Sequence, residues 1–196
     1  MRFLSMSSGL IAVCVIAPTV AIILIYFIWY FVTKNGLISH RNDAEEAYSA
    51  MDVHMKKRYD LIPNLVETCK GYVKHEHETL ARVIEARNNA MIAAPDDKPN
   101  AEKELSSSLK VLFNKVHEAY PELQASTHFN NLSEQLEQVE HEIAQSRKYY
   151  NAKIKLLNNK IEMFPSSFVA KRMGLERKSY FELDDVSQRE APKVSF

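Results

Sequence analysis

The chain has 196 residues with 25 basic and 25 acidic side chains, two cysteines and four glycines. Formal neutrality leaves no basic excess for nucleic acid, two cysteines build no disulfide framework, and four glycines supply no phosphate-cradling loop. Hydrophobic residues make up 46% of the chain, an ordinary share, but they are concentrated in one uncharged block near the start.

After a short tail, residues 1–8, the stretch from Gly9 to Thr33 contains no charged residue. At about 1.5 Å of rise per residue it spans a hydrocarbon core of roughly 30 Å with some tilt, which predicts a single-pass transmembrane helix over residues 9–33. Pro18 is tolerable in lipid if the carbonyl it frees finds a partner. Tyr26, Trp29 and Tyr30 crowd the exit end as an interfacial aromatic belt. A cleaved secretory signal has an apolar stretch of only about 7 to 15 residues followed by a small-x-small site, and neither is present. A lipoprotein reading of "IAVC" fails because Val13 occupies the small-residue position before Cys14 and the apolar run continues. Lys34 and Arg41 after the span, with Lys56, Lys57 and Arg58 further on, outnumber Arg2 and the amine before it, so the charge bias leans toward a cytoplasmic C-terminal domain.

The turn signal at Asn35 and Gly36 predicts a linker over residues 34–41. From there apolar residues recur at Ala44, Tyr48, Met51, Met55, Tyr59, Ile62, Val66, Cys69, Val73, Leu80, Val83 and Ala90. The steps are three, four or seven, a helical period with one polar gap at "HEHE", His75 to Glu78. "APDDKPN" (Ala94–Asn100) marks a loop, Asn100 is a candidate N-cap, and a second helix carries Ala101, Leu105, Leu109, Leu112, Val116 and Ala119 before Pro121 stops it. A third helix from Asn130 or Asn131 carries Leu132, Leu136, Val139, Ile143, Ser146, Tyr150, Ile154, Leu157, Ile161 and Phe164 up to Pro165. Its mean step is close to seven halves, the coiled-coil value. Residues 42–165 therefore read as an all-α, antiparallel bundle of three to four long helices. Residues 166–196 form a C-terminal segment: "SSFVAKRMGL" holds an amphipathic turn or two, and a charged tail follows.

Unequal helix lengths carry the functional expectation. A first helix over Asn42–Ala93 would reach roughly 78 Å, the second about 30 Å and the third about 50 Å. Either the first helix breaks near Pro63 and folds back, or its uncovered stripe packs on other subunits. Pro63 removes a backbone donor, frees the Tyr59 carbonyl and costs about 3 kcal/mol in a helix interior, which predicts a kink there. Gly71 either costs about 1 kcal/mol or admits a close neighbour.

No carrier of chemistry stands out. His75 and His77 point about 200° apart on a helix and cannot share one ion, and "EHEIAQS" offers no Glu-x-x-His for a di-iron site. There is no Gly-x-Ser-x-Gly elbow, and Cys69 on an apolar stripe reads as a buried, inert thiol. No catalytic, cofactor-binding or metal residue is therefore assigned, and no cofactor. Lys56, Lys57 and Arg58 sit several Debye lengths from the bilayer and read as an ion-pairing face with Asp52 and Asp60. Lys171, Arg172, Arg177 and Lys178 around Phe168, Val169, Met173 and Leu175 read as a membrane-surface element or as a cap on the bundle's end, with the cap favoured.

"MDVHMKKRYDLIPNLVETCKGYVKHEHETLARVIEARNNA" (Met51–Ala90), "YYNAKIKLLNNKIEMFP" and the terminal "YFELDDVSQREAPKVSF" closely resemble the LemA family, over nearly the whole chain from about Ile38. The resemblance implies an all-helical domain beyond one membrane span, usually cytoplasmic, at the bacterial inner membrane. It implies no established activity; the family includes the magnetosome membrane-formation protein MamQ, which favours a membrane-organising role. Tyr48 stands where a tryptophan is expected, and Lys171 and Arg172 interrupt a stretch expected to be more apolar.

The resulting expectation is a non-enzymatic, membrane-anchored scaffold that forms homo-oligomers and organises the bilayer or another membrane protein. Its interaction residues would be the kinked segment Tyr59, Ile62, Pro63, Leu65 and Val66, with Lys57, Arg58 and Asp60 setting register; Tyr26, Trp29 and Tyr30 would meet the membrane. The alternatives are a regulatory or adaptor subunit of a membrane protease or signalling protein, and a small-ligand sensor using His54, Tyr59 and Tyr150.

Overall fold

The computed structural model describes residues 2–72 and 76–182, with side chains from Val15 onward. The readings that fall on Cys14, Val73, Lys74, His75 and the tail from Leu183 lie outside the described residues. Six helices are described: α1 (Arg2–Lys70), α2 (His77–Ile92), α3 (Lys98–Ala119), α4 (Pro121–Gln124), α5 (Thr127–Glu162) and α6 (Ser166–Arg172). No strand occurs among the described residues, so the fold is all-α.

Helix α1 contains one stretch apolar and long enough to cross a membrane, with a mean hydropathy of 2.3, and its side chains from Val15 to Ile28 are exposed. No linker interrupts α1: residues 34–41 are helical, including Asn35 and Gly36. The turn signal loses because Leu37 is buried, and its packing outweighs the roughly 1 kcal/mol that one glycine costs a helix.

The helix also passes through Pro63 and ends eight residues later, at Gly71 and Tyr72, where the Tyr72 amide bonds the Cys69 carbonyl at 2.9 Å. The break falls there because glycine meets the polar gap: from Lys74 to Glu78 no apolar side chain is available to hold a helix against the core. Helix α2 then returns along α1, placing Arg87 and Ala90 beside Tyr59. Residues 42–93 are thus two helices with a turn between them.

That turn removes the length mismatch. Met51, Met55, Tyr59, Ile62, Val66 and Cys69 of α1 are at most 4% exposed within the single chain, in one core shared with α2, α3, α4 and α5. With the stripe covered, unequal helix lengths no longer require neighbouring subunits.

The remaining boundaries move slightly. Helix α3 starts at Lys98 with Pro99 in its first turn, where proline's missing donor costs nothing, so Asp97 and not Asn100 is the N-cap. Helix α5 starts at Thr127, preceded by the short α4 that buries Leu123. Helix α6 ends at Arg172 and is stopped by Gly174, whose φ of +66° is open to glycine at little cost, and the Leu175 amide closes the turn on the Ala170 carbonyl at 3.1 Å.

The described chain forms two compact units. One comprises α1 up to Ala44 with Lys153–Lys178; the other comprises Glu45–Ala152 with the segment from Ser179.

Candidate functional site

The second unit encloses a polar centre. Arg58 is 2% exposed, and its guanidinium donates to Ser106 Oγ at 2.9 Å and to the carboxylates of Glu102 and Glu140. The other Glu102 oxygen accepts from the Tyr59 hydroxyl. Lys98 donates to the Ala90 carbonyl at 2.8 Å and lies 5.6 Å from the centre of the Tyr59 ring. A buried charge persists only when paired and hydrogen-bonded, and the pairing here draws on α1, α3 and α5 at once.

Burial, and then the hydrogen bond to Glu102 and its charge, push the Tyr59 phenol far above its ordinary value, so Tyr59 is a fixed donor. Cys69 is fully buried, which pushes its thiol up to about 11 and leaves it without nucleophilic character near neutrality. The centre therefore holds charge in place.

Beside it, Arg87 Nε donates to the Tyr59 carbonyl at 2.7 Å. This is the carbonyl that Pro63 deprives of its helical partner, and Arg87 satisfies it from the returning helix. On the surface, His54 and Lys57 reach Glu142 at 3.1 and 3.3 Å. Burial alone would raise the Glu142 carboxyl, but Lys57, Gln138 and His54 together hold it below its usual range.

The first unit carries a different feature. Helix α6 buries Ser166, Val169 and Ala170, spaced three and four apart, with Val169 and Ala170 in a small core around Leu37 that Trp29, Tyr30 and Ile161 pack against. The same spacing puts Phe168, Lys171 and Arg172 on its opposite, exposed side. Phe164, on the α5 stripe by sequence, is 79% exposed and Phe168 is 71% exposed; the rings meet edge to face at 6.3 Å. Such exposure leaves on the order of 150 Å² of ring surface in water per side chain, roughly 3 to 4 kcal/mol each. Between these rings and the aromatic belt lies a groove of about 830 Å³. Tyr26, Trp29 and Tyr30 form one wall, and Phe164, Phe168, Lys171 and Arg172 border the other. Helix α6 therefore has one face buried in this small core and one face exposed.

The sequence pattern of the LemA family matches residues 47–196, which include both the polar centre and α6. The chain belongs to the LemA family. It is also similar to Protein LemA of Metamycoplasma hominis, 27% identical over 165 residues that cover 84% of this chain and 75% of that protein.

In this LemA-family chain the expected interaction segment is mostly core. Tyr59, Ile62, Leu65 and Val66 are at most 4% exposed, and Arg58 is locked in the polar centre, so none of these presents a docking face. Lys57 is engaged with Glu142, while Asp60 and Pro63 are on the surface. The ion-pairing expectation holds for Lys56 with Asp52 at 3.3 Å, but Lys57 and Arg58 choose partners on α3 and α5 in place of Asp60. The three residues of the ligand-sensor reading each have other partners: His54 has Glu142, Tyr59 has Glu102, and Tyr150 packs edge to face on Tyr48 at 5.6 Å.

Lys98, Glu102, Glu140 and Arg87 escaped the sequence reading. A signal existed for one of them, Glu102, and for the burial of its partner Arg58. Arg58 lies three after Met55 and four before Ile62, and Glu102 lies three before Leu105, so both occupy stripe positions where a charge requires a buried partner.

Proposed function

We propose that this LemA-family chain is a non-enzymatic membrane scaffold. Its apolar helix anchors it as a single-pass protein of the inner membrane, and its helical domain, on the cytoplasmic side, holds membrane-associated partners, further copies of itself among them. The observation that supports this reading most is the continuity of α1, which leaves the apolar span and enters the domain core as one helix. A domain joined in this way is held at the bilayer, where a scaffold must act. The internally paired polar centre and the protonated Cys69 thiol favour a holding role over a chemical one.

Mass measurement of the full-length chain in nanodiscs drawn from native membranes tests the proposal. The expected result is an assembly of several copies, or a second protein at fixed ratio. A lone chain with no protein companion, at every concentration tried and after cross-linking in intact membranes, would refute it.

A further inference from the structure

We infer that the groove between the aromatic belt and α6 is a binding site for an anionic phospholipid of the bilayer, its phosphate held by Lys171 and Arg172 and its upper acyl chains by Phe164 and Phe168. The inference rests on the membrane reading of α1 and goes beyond the scaffold proposal.

Depth comes first. A hydrocarbon core of about 30 Å accommodates about 20 helical residues, and the charge-free run ends at Thr33. Tyr26, Trp29 and Tyr30 therefore mark the headgroup boundary, and a groove that they wall opens at that level. Next to its walls in sequence stand exposed apolar side chains of the span, Ile25 at 65% and Ile28 at 64%, which lipid must cover if α1 crosses a membrane. The same lipid layer meets Phe164 and Phe168.

Charge comes second. Lys171 and Arg172 border the groove, no acidic side chain lines it, and neither cation has an ion-pair partner among the described residues. Two cations with aromatic rings on one face, three and four residues apart, suit a ligand whose phosphate sits directly above its hydrocarbon. Guanidinium and ammonium heads reach outward from apolar stems, so both can meet a phosphate while Phe168 stays in the acyl layer. A neutral lipid would satisfy the rings and leave the cations uncompensated. A docking protein would need an acidic, apolar segment at this depth.

Trp29 lines the groove and is the chain's one tryptophan, so its fluorescence reports on the groove alone. The full-length chain is reconstituted into vesicles of equimolar phosphatidylcholine and phosphatidylglycerol, with bromine carried on the acyl chains of one lipid or of the other. Brominated phosphatidylglycerol should quench Trp29 more strongly, with a relative affinity of about fivefold per basic side chain and on the order of twentyfold for the pair. The K171Q/R172Q variant should lose that preference, and the K171R/R172K variant should keep it, with far-UV circular dichroism confirming equal helix content in all three. Equal quenching by both lipids, or a preference that survives K171Q/R172Q, would overturn the site while leaving the span intact. Absence of quenching by either lipid would overturn the membrane reading and the site together.

Discussion

Replacing Arg58 by methionine should be severely destabilising, and adding a second substitution should reverse most of the loss. Arg58 and Glu102 are 2% and 3% exposed at their side chains, so Arg58→Met leaves the Glu102 carboxylate buried with the Tyr59 hydroxyl as its main remaining donor. An uncompensated buried charge of this kind costs about 3 to 5 kcal/mol. Glu140, 47% exposed at its side chain, returns to solvent at small cost. At about 2 to 4 °C per kcal/mol for a domain of this size, the thermal midpoint should fall by roughly 10 °C. In R58M/E102M both charges are absent and the methionines fill similar volume, while the Tyr59 hydroxyl keeps the Ala90 carbonyl within 3.4 Å. The double variant should lie within about 1 to 2 kcal/mol of the parent, a favourable coupling visible only for groups that act on each other. Far-UV circular dichroism of the full chain in one detergent, followed against temperature and urea, reads both numbers. A loss below about 1 kcal/mol in R58M, or a double variant no more stable than R58M, would show that the charges are not mutually dependent.

Two further outcomes are expected. Arg87→Ala should cost about 1 to 3 kcal/mol because the Tyr59 carbonyl loses its donor, and the cost should drop below about 1 kcal/mol in a Pro63→Ala background, where residue 63 regains an amide N–H for that carbonyl; equal losses in both backgrounds, measured by urea midpoint, would dismiss the compensation. Cys69, in a Cys14→Ser chain, should resist iodoacetamide until the helices open. Its thiol is raised from an unfolded value of about 8.5 to about 11, so the stabilisation it contributes is complete below the lower value and is lost as pH rises through the upper one. Rapid labelling of the folded chain near pH 8 would contradict its burial.

Much of the fold is legible in residue spacing. The stripes through Met51, Met55 and Ile62, through Leu105, Leu109 and Leu112, and through Leu136, Val139 and Ile143 are all buried, because helical period alone dictates which side chains share a face. The end of α5 before Pro165 and the inert Cys69 follow from equally local chemistry. Punctuation was harder to read. Asn35–Gly36 and Pro63 are the stronger local breakers, yet α1 continues through both and stops at Gly71. A breaker's cost of about 1 to 3 kcal/mol is settled by whether packing and a compensating donor lie nearby, and those come from Leu37 and Arg87.

The sequence by itself determined an all-helical chain with one apolar span, since hydrophobic period and charge-free length are properties of neighbouring residues. Tertiary structure alone decided where the first long helix turns back, and with it the burial of the stripe that length comparison left open to other subunits. It also decided which carboxylates hold Arg58 and which face of α6 meets the aromatic belt. Those outcomes depend on side chains 40 to 140 residues apart, and the energy of a buried charge or an exposed ring is fixed by such distant partners.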